Sequence, residues 1–241
     1  MKKLQILALA ALASWSLALQ AADLGKHNVV WDSPSKDSLD SMPLSGRLGA
    51  GANVWVQDGS IWIYPSHNGA YDEQGRLLKL GCLRITPEGL KLGQAGFRQE
   101  LVLANGTILI GQGDFQAALW FAGETLLFES RTAKPIAYEV AFGTWRDRRR
   151  DGILVDVFGS TRQTFMPDQV QPTKEGFVWF HRNSDYPIDL AGKAKRQGIP
   201  PEAVPDLTTK RVFGGAAMVE GGLTEPVPTD VEWQFWNGKA W

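Results

Sequence analysis

The stretch Asn53-Val-Trp-Val-Gln-Asp-Gly-Ser-Ile-Trp-Ile-Tyr64 constrains the fold more than any other part of the chain. Asp58-Gly59 reads as a two-residue hairpin turn, because Gly and Asp tolerate the positive φ that such a turn imposes. Fixing the turn fixes the register. Gln57 then faces Ser60, Val56 faces Ile61, Trp55 faces Trp62 and Val54 faces Ile63. Side chains alternate along a strand, so Val54, Val56, Ile61 and Ile63 share one face. Trp55, Trp62 and Tyr64 share the other. Neither face is polar. The hairpin therefore needs two covers: a facing sheet on one side, and a ligand, loop or further domain on the other.

Similar signals recur along the chain. Leu101–Ile110 reads as a second hairpin turning at Asn105-Gly106. Strand-like runs follow at Leu83–Thr86, Ala117–Phe121, Thr125–Glu129, Ile136–Phe142, Ile153–Phe158, Phe177–His181 and Val212–Val219. Short strands at regular spacing, separated by turn residues, predict an all-β antiparallel sandwich, supersandwich-like in type. One short helix is expected at Leu190–Gln197, ended by Gly198 and Pro200-Pro201. No repeat or low-complexity linker divides the chain. The expected organisation is one sandwich domain over 23–222, followed by a tail, 223–241, that carries Trp233, Phe235, Trp236 and Trp241.

The first 22 residues are set apart. Lys2 and Lys3 precede an apolar run from Leu4 to Leu19, and Ala21-Ala22 stand before Asp23. This is the pattern of a secretory signal peptide, which places the mature protein in the periplasm or outside the cell, with no membrane attachment after cleavage. Cys82 is the only cysteine, so no internal disulfide is available and the domain must be held by burial. Loss of Lys2 and Lys3 takes the net charge from −1 to −3, which argues against nucleic acid as a partner.

Three sets of residues are candidates for chemistry. Trp55, Trp62 and Tyr64 form an aromatic face that either stacks on sugar rings or packs on another layer. His181-Arg182-Asn183 place three polar donors at a strand end, where they serve either a sugar or neighbouring loops. Arg146-Asp-Arg-Arg-Arg150, after Trp145, reads as a solvated loop, or as a contact to an acidic glycan. Asp32, Asp37 and Asp40 lie among serines but lack a calcium-loop pattern and read as turn residues. No zinc spacing, nucleophile elbow or phosphate loop is present, so no cofactor and no metal is expected. Nor does the sequence pair two carboxylates as glycoside hydrolysis requires.

Ser41-Met-Pro-Leu-Ser-Gly-Arg-Leu-Gly-Ala50 resembles the opening of family 95 glycoside hydrolases, fucosidase-like enzymes that begin with a stretch of the type Pro-Leu-Gly-Asn-Gly-Arg-Leu-Gly-Ala. The match is closer to a bacterial branch, domain-of-unknown-function family 5703. That branch resembles this chain at Trp31-Asp-Ser-Pro-Ser-Lys-Asp-Ser38, Tyr71-Asp-Glu-Gln-Gly-Arg-Leu-Leu-Lys-Leu80, Phe97-Arg-Gln-Glu-Leu101, Trp179-Phe-His-Arg-Asn183 and Arg211-Val-Phe-Gly-Gly215. The resemblance implies an N-terminal β-sandwich that precedes a helical (α/α)6 barrel, with the catalytic residues in the barrel. None of those catalytic positions has a counterpart in these 241 residues. The family's Gly-Asn-Gly is Ser45-Gly46 here, one residue shorter. The expectation is a secreted, carbohydrate-related accessory domain without a complete active site, partnered by a glycan or by a helical catalytic domain. The alternatives are the platform of a longer secreted glycoside hydrolase, or a stand-alone glycan-binding protein.

Overall fold

The computed structural model describes residues 23–219 except 74, 157–158, 185–189 and 207. The expected signal peptide, 1–22, and nearly all of the expected tail lie outside the described residues. In chain order the strands are β1 (Val29–Trp31), β2 (Met42–Ser45), β3 (Ala50–Gln57), β4 (Ser60–Tyr71), β5 (Leu77–Lys79), β6 (Cys82–Pro87), β7 (Arg98–Val102), β8 (Thr107–Gln112), β9 (Phe115–Ala122) and β10 (Thr125–Arg131). They continue with β11 (Tyr138–Gly143), β12 (Arg150–Asp156), β13 (Gly159–Phe165), β14 (Gln169–Pro172), β15 (Gly176–Arg182) and β16 (Val212–Met218). Helix α1 (Leu190–Arg196) stops one residue before the expected end.

Two large antiparallel sheets make the sandwich. The first runs β1-β7-β8-β9-β10. The second runs β11-β6-β4-β3-β2, with β5 on the far half of β4. A ribbon, β12-β13, and a smaller sheet, β14-β15-β16, follow. The core lies between the large sheets. Val54, Val56, Ile61, Ile63 and Ile85 come from one side, and Ile108, Ile110, Phe115 and Leu119 from the other. Each such side chain removed from water contributes about 1.5–3 kcal/mol before chain entropy is subtracted.

The β3–β4 hairpin has the register its turn dictates, Gln57 opposite Ser60 through Val54 opposite Ile63. Asp58 and Gly59 take φ of 53° and 88°, both positive as a type I′ turn requires. The second hairpin differs from expectation. Val102 pairs with Thr107, so its loop has four residues, Leu103–Gly106. A shift of two residues moves no side chain to the other face, so the alternating pattern could not tell the two registers apart. Asn28 favours the longer loop. Its side-chain oxygen accepts from the Leu103 amide at 3.1 Å, and its amide donates to Glu100 at 2.8 Å. Strand β2 is not among the expected strands; its Met42 and Leu44 point inward, and Pro43 is tolerated because β2 is an edge.

Candidate functional site

The outer face of the β3–β4 hairpin carries the predicted aromatics. Trp55 and Trp62 are cross-strand partners with ring centroids 6.0 Å apart and nearly parallel planes. Tyr64 meets Trp55 edge-on at 4.7 Å, and Trp145, from the loop after β11, meets Tyr64 edge-on at 5.4 Å. Cys82 is buried among them. Both indoles on the hairpin use their N–H groups: Trp55 donates to the Gln57 side chain at 3.0 Å and Trp62 to the Gln57 carbonyl at 3.1 Å. Trp55 is 2% exposed and Tyr64 8%, so both rings are already covered; Trp62 is half-buried. The Arg84 guanidinium lies over Trp62 at 5.7 Å and pairs with Glu139 at 2.6 Å. Lys79 hydrogen-bonds Asn53 at 2.6 Å and stands 6.0 Å from the Tyr64 ring. Burial holds the Lys79 ammonium below its usual range and pushes the Tyr64 hydroxyl and Cys82 thiol well up.

The strand-end residues lie elsewhere and point apart. In β15 the side chains alternate, so Trp179 and His181 turn inward and Arg182 turns out. Asn183, just past the strand, is 1% exposed and donates to the carbonyls of Tyr71 and Thr208 at 2.9 and 2.8 Å. His181 is equally buried, stacked 5.0 Å from Phe213. Of the three, only Arg182 faces solvent.

His181 belongs to a charge cluster that sequence reasoning did not assemble. Its Nδ1 lies 2.8 Å from an oxygen of Asp168, and its Nε2 is 3.5 Å from Glu73, an ion-pair contact rather than a well-formed hydrogen bond. Asp168 also accepts from Arg146 Nε at 2.7 Å and from the Thr144 hydroxyl. Arg146 reaches the carbonyls of Lys79 and Leu80 at 3.2 and 3.4 Å. Glu73 accepts from the amides of Met166 and Ser184 at 3.2 and 3.3 Å. Its loop is shaped by Asp72, which takes the Arg76 amide and guanidinium at 2.9 and 2.8 Å. Two carboxylates and two cations balance, as burial demands.

Burial alone disfavours the charged forms of His181, Asp168 and Glu73, yet the cluster reverses that tendency. Desolvation opposes charge on His181, but Asp168 and Glu73 outweigh it and hold the imidazole above its ordinary range. Desolvation likewise opposes ionisation of Asp168, and the His181 and Arg146 hydrogen bonds hold it below the usual carboxylate range. Glu73 is also lowered, by His181 and by backbone amides acting against burial.

The basic run 146–150 therefore divides. Arg146, read as part of a solvated loop, is drawn inside by Asp168, while Arg149 and Arg150 are surface residues paired with Asp151 and Asp147. Asp37 and Asp40 accept backbone amides from Leu39 and Lys36 at 2.8 and 3.4 Å, as turn residues do. Among the described residues no group of three His, Cys, Asp or Glu side chains is placed to hold a metal ion. No helix among them is long and apolar enough to cross a membrane.

These features define a class: a β-sandwich with one face of its second sheet lined by aromatic rings and a third, smaller sheet tied on by buried charge. Residues 30–241 match the family described as Domain of unknown function (DUF5703), and the chain belongs to that family. No curated protein matches the chain.

Proposed function

We propose that this chain is a secreted, carbohydrate-related accessory domain, the N-terminal sandwich of a glycoside hydrolase-like protein, and that it holds glycan at its aromatic face. The observation that carries the reading is the ring series Trp62, Trp55, Tyr64 and Trp145 on the outer face of the β3–β4 hairpin. Flat rings flanked by a guanidinium, an ammonium and an amide suit a sugar, which offers an apolar ring face and hydroxyls at its edge. Trp62 is the accessible end of the series, and the Arg84–Glu139 pair beside it offers polar edges to sugar hydroxyls. The test is glycan binding by the full chain, read by calorimetry against Trp62→Ala. The expected loss is about 1–3 kcal/mol of affinity. Unchanged affinity removes Trp62 from the site.

A second reading, that of a platform for a helical catalytic domain, is favoured by the outer face of the first sheet. Val30 and Leu109 lie there with Ala118 across the strands, and Leu127 pairs with Trp120. Val30, Leu109 and Leu127 are 36–43% exposed and share the face with Glu100 and Glu129, a mixed apolar and charged surface such as interfaces between domains use. The intact mass of the native product separates the two. A mass far above that of these 241 residues favours the platform, and a mass matching the processed chain favours a stand-alone glycan binder.

A further inference from the structure

The pair Asn68-Gly69 lies where β4 leaves its ladders. Pairing with β3 ends at His67 opposite Ala50, and pairing with β5 passes from Ser66–Lys79 to Tyr71–Leu77, so β4 carries surplus residues in a bulge. Asn68 is exposed, and its side chain makes no hydrogen bond among the described residues. Its backbone amide donates to the Gly49 carbonyl at 3.0 Å. The Gly69 amide donates to Nδ1 of His67 at 2.9 Å. That bond assigns the tautomer: Nδ1 is bare, and the ring proton sits on Nε2, which is 3.4 Å from Glu124. Gly69 is closely flanked, since a Cβ there would meet His67 Nδ1 at 2.9 Å and the Arg211 guanidinium at 3.1 Å. Arg211 also donates to the Gly69 carbonyl at 2.6 Å. A backbone N–H usually faces a carbonyl, which is a poor base. This one faces an imidazole, with a cation beside the peptide to favour a developing anion.

We propose that Asn68 is a self-modification site, at which His67 promotes deamidation through closure of Asn68 onto Gly69. Nδ1 of His67 takes the Gly69 amide proton, and the nitrogen attacks Asn68 Cγ. A bond forms between the Gly69 nitrogen and Cγ, and the bond from Cγ to Nδ2 breaks. Nδ2 leaves as ammonia with the proton that His67 returns, so the base is regenerated and nothing is oxidised or reduced. Water then opens the cyclic imide at either carbonyl, which leaves aspartate or isoaspartate at position 68. Either product adds a carboxylate near Glu124. The isoaspartate also lengthens the backbone at the residue whose amide holds Gly49.

Asn105-Gly106 is the internal control. It is exposed in the loop 103–106, and its Gly106 amide donates to the Val102 carbonyl at 2.9 Å. Exposure alone makes this pair the faster of the two. A positioned base contributes about a hundredfold to ten-thousandfold in rate, enough to reverse that order.

The test is to age the full chain at neutral pH and follow each asparagine by peptide mass spectrometry, with isoaspartate distinguished by fragmentation. In the folded chain Asn68 is expected to convert at least about tenfold faster than Asn105, with isoaspartate among the products. In urea the two rates are expected to converge. His67→Gln keeps an acceptor but not a base; it is expected to slow Asn68 by about tenfold or more and to leave Asn105 unchanged. Conversion at Asn68 no faster than at Asn105 in the folded chain would overturn the proposal. So would an undiminished Asn68 rate in His67→Gln. If that variant does not fold, the ratio of the two wild-type rates, folded against urea, decides alone.

Discussion

The apolar core between the two large sheets and the charge cluster beside the β14-β15-β16 sheet hold the molecule in opposite ways. The core is many interchangeable contacts. Val54, Ile61, Ile108, Phe115 and Leu119 are all essentially inaccessible, and none depends on the orientation of another's atoms. The cluster is a few contacts that depend on one another. Asp168 alone serves Thr144, Arg146 and His181, so removing its charge leaves the buried His181 with Glu73 only and the half-buried Arg146 with backbone carbonyls only. Dispersion and burial are additive and forgiving; buried charge is neither. The placement is consistent with that contrast. The core fixes the sandwich, whereas the cluster fixes how the later loops and the smaller sheet meet the far end of β4.

The contrast is broken or sharpened first by comparing Phe115→Ala with Asp168→Asn. Each is expected to cost about 3–5 kcal/mol near pH 6, the first through a cavity and the second through uncompensated charge. Denaturant unfolding across pH should then separate them. His181 has its pKa raised from 6.5, so its contribution is full below about pH 6.5 and is lost as pH rises through the folded value. Asp168 and Glu73 have theirs lowered from 3.8 and 4.5, so their contributions are present above those values and are lost as pH falls through the folded ones. Stability from the cluster is therefore greatest between about pH 4.5 and 6.5. The cost of Asp168→Asn should shrink on both sides of that window, and the cost of Phe115→Ala should not. Equal pH dependence in the two variants would dissolve the distinction.

A smaller effect is expected at the turns, where two left-handed residues can be compared. Asp58 (φ 53°) and Leu48 (φ 54°) both precede a glycine of positive φ. Asp suits that conformation and Leu does not. The Ala50 amide closes the turn onto the Arg47 carbonyl at 3.0 Å, and Leu48 is 78% exposed, so its side chain gains little in return. Leu48→Asn should stabilise the domain by about 1 kcal/mol, measured as a rise in the denaturant midpoint. A loss of stability would mean that Leu48 makes a contact worth more than its strain.

The same contrast explains what was legible in the sequence. The core was readable because burial on a strand repeats every second residue and Asp58-Gly59 sets the phase. The period that makes this possible also hid the true loop at 103–106, since slipping by two residues preserves both faces. The cluster was not readable. Glu73, the Thr144–Arg146 loop, Asp168 and His181 are distant from one another in sequence and sit in loops or at a strand end with no common pattern. One signal was available: His181 and Asn183 are in step with Trp179, and polar residues in phase with a buried tryptophan belong inside and need partners. Both are polar donors, and it is their burial that the phase encodes. The aromatic face was readable as a face, while its cover by Trp145, from a loop distant in sequence, was not.

Asp168 and Glu73 hold the buried His181 imidazole above its ordinary pKa. The direct measurement is an NMR titration of the His181 ring in the full chain, beside the same titration in Asp168→Asn. A wild-type pKa above the ordinary 6.5 and a clear fall in the variant are expected. A wild-type value at or below 6.5, unmoved by Asp168→Asn, would contradict it.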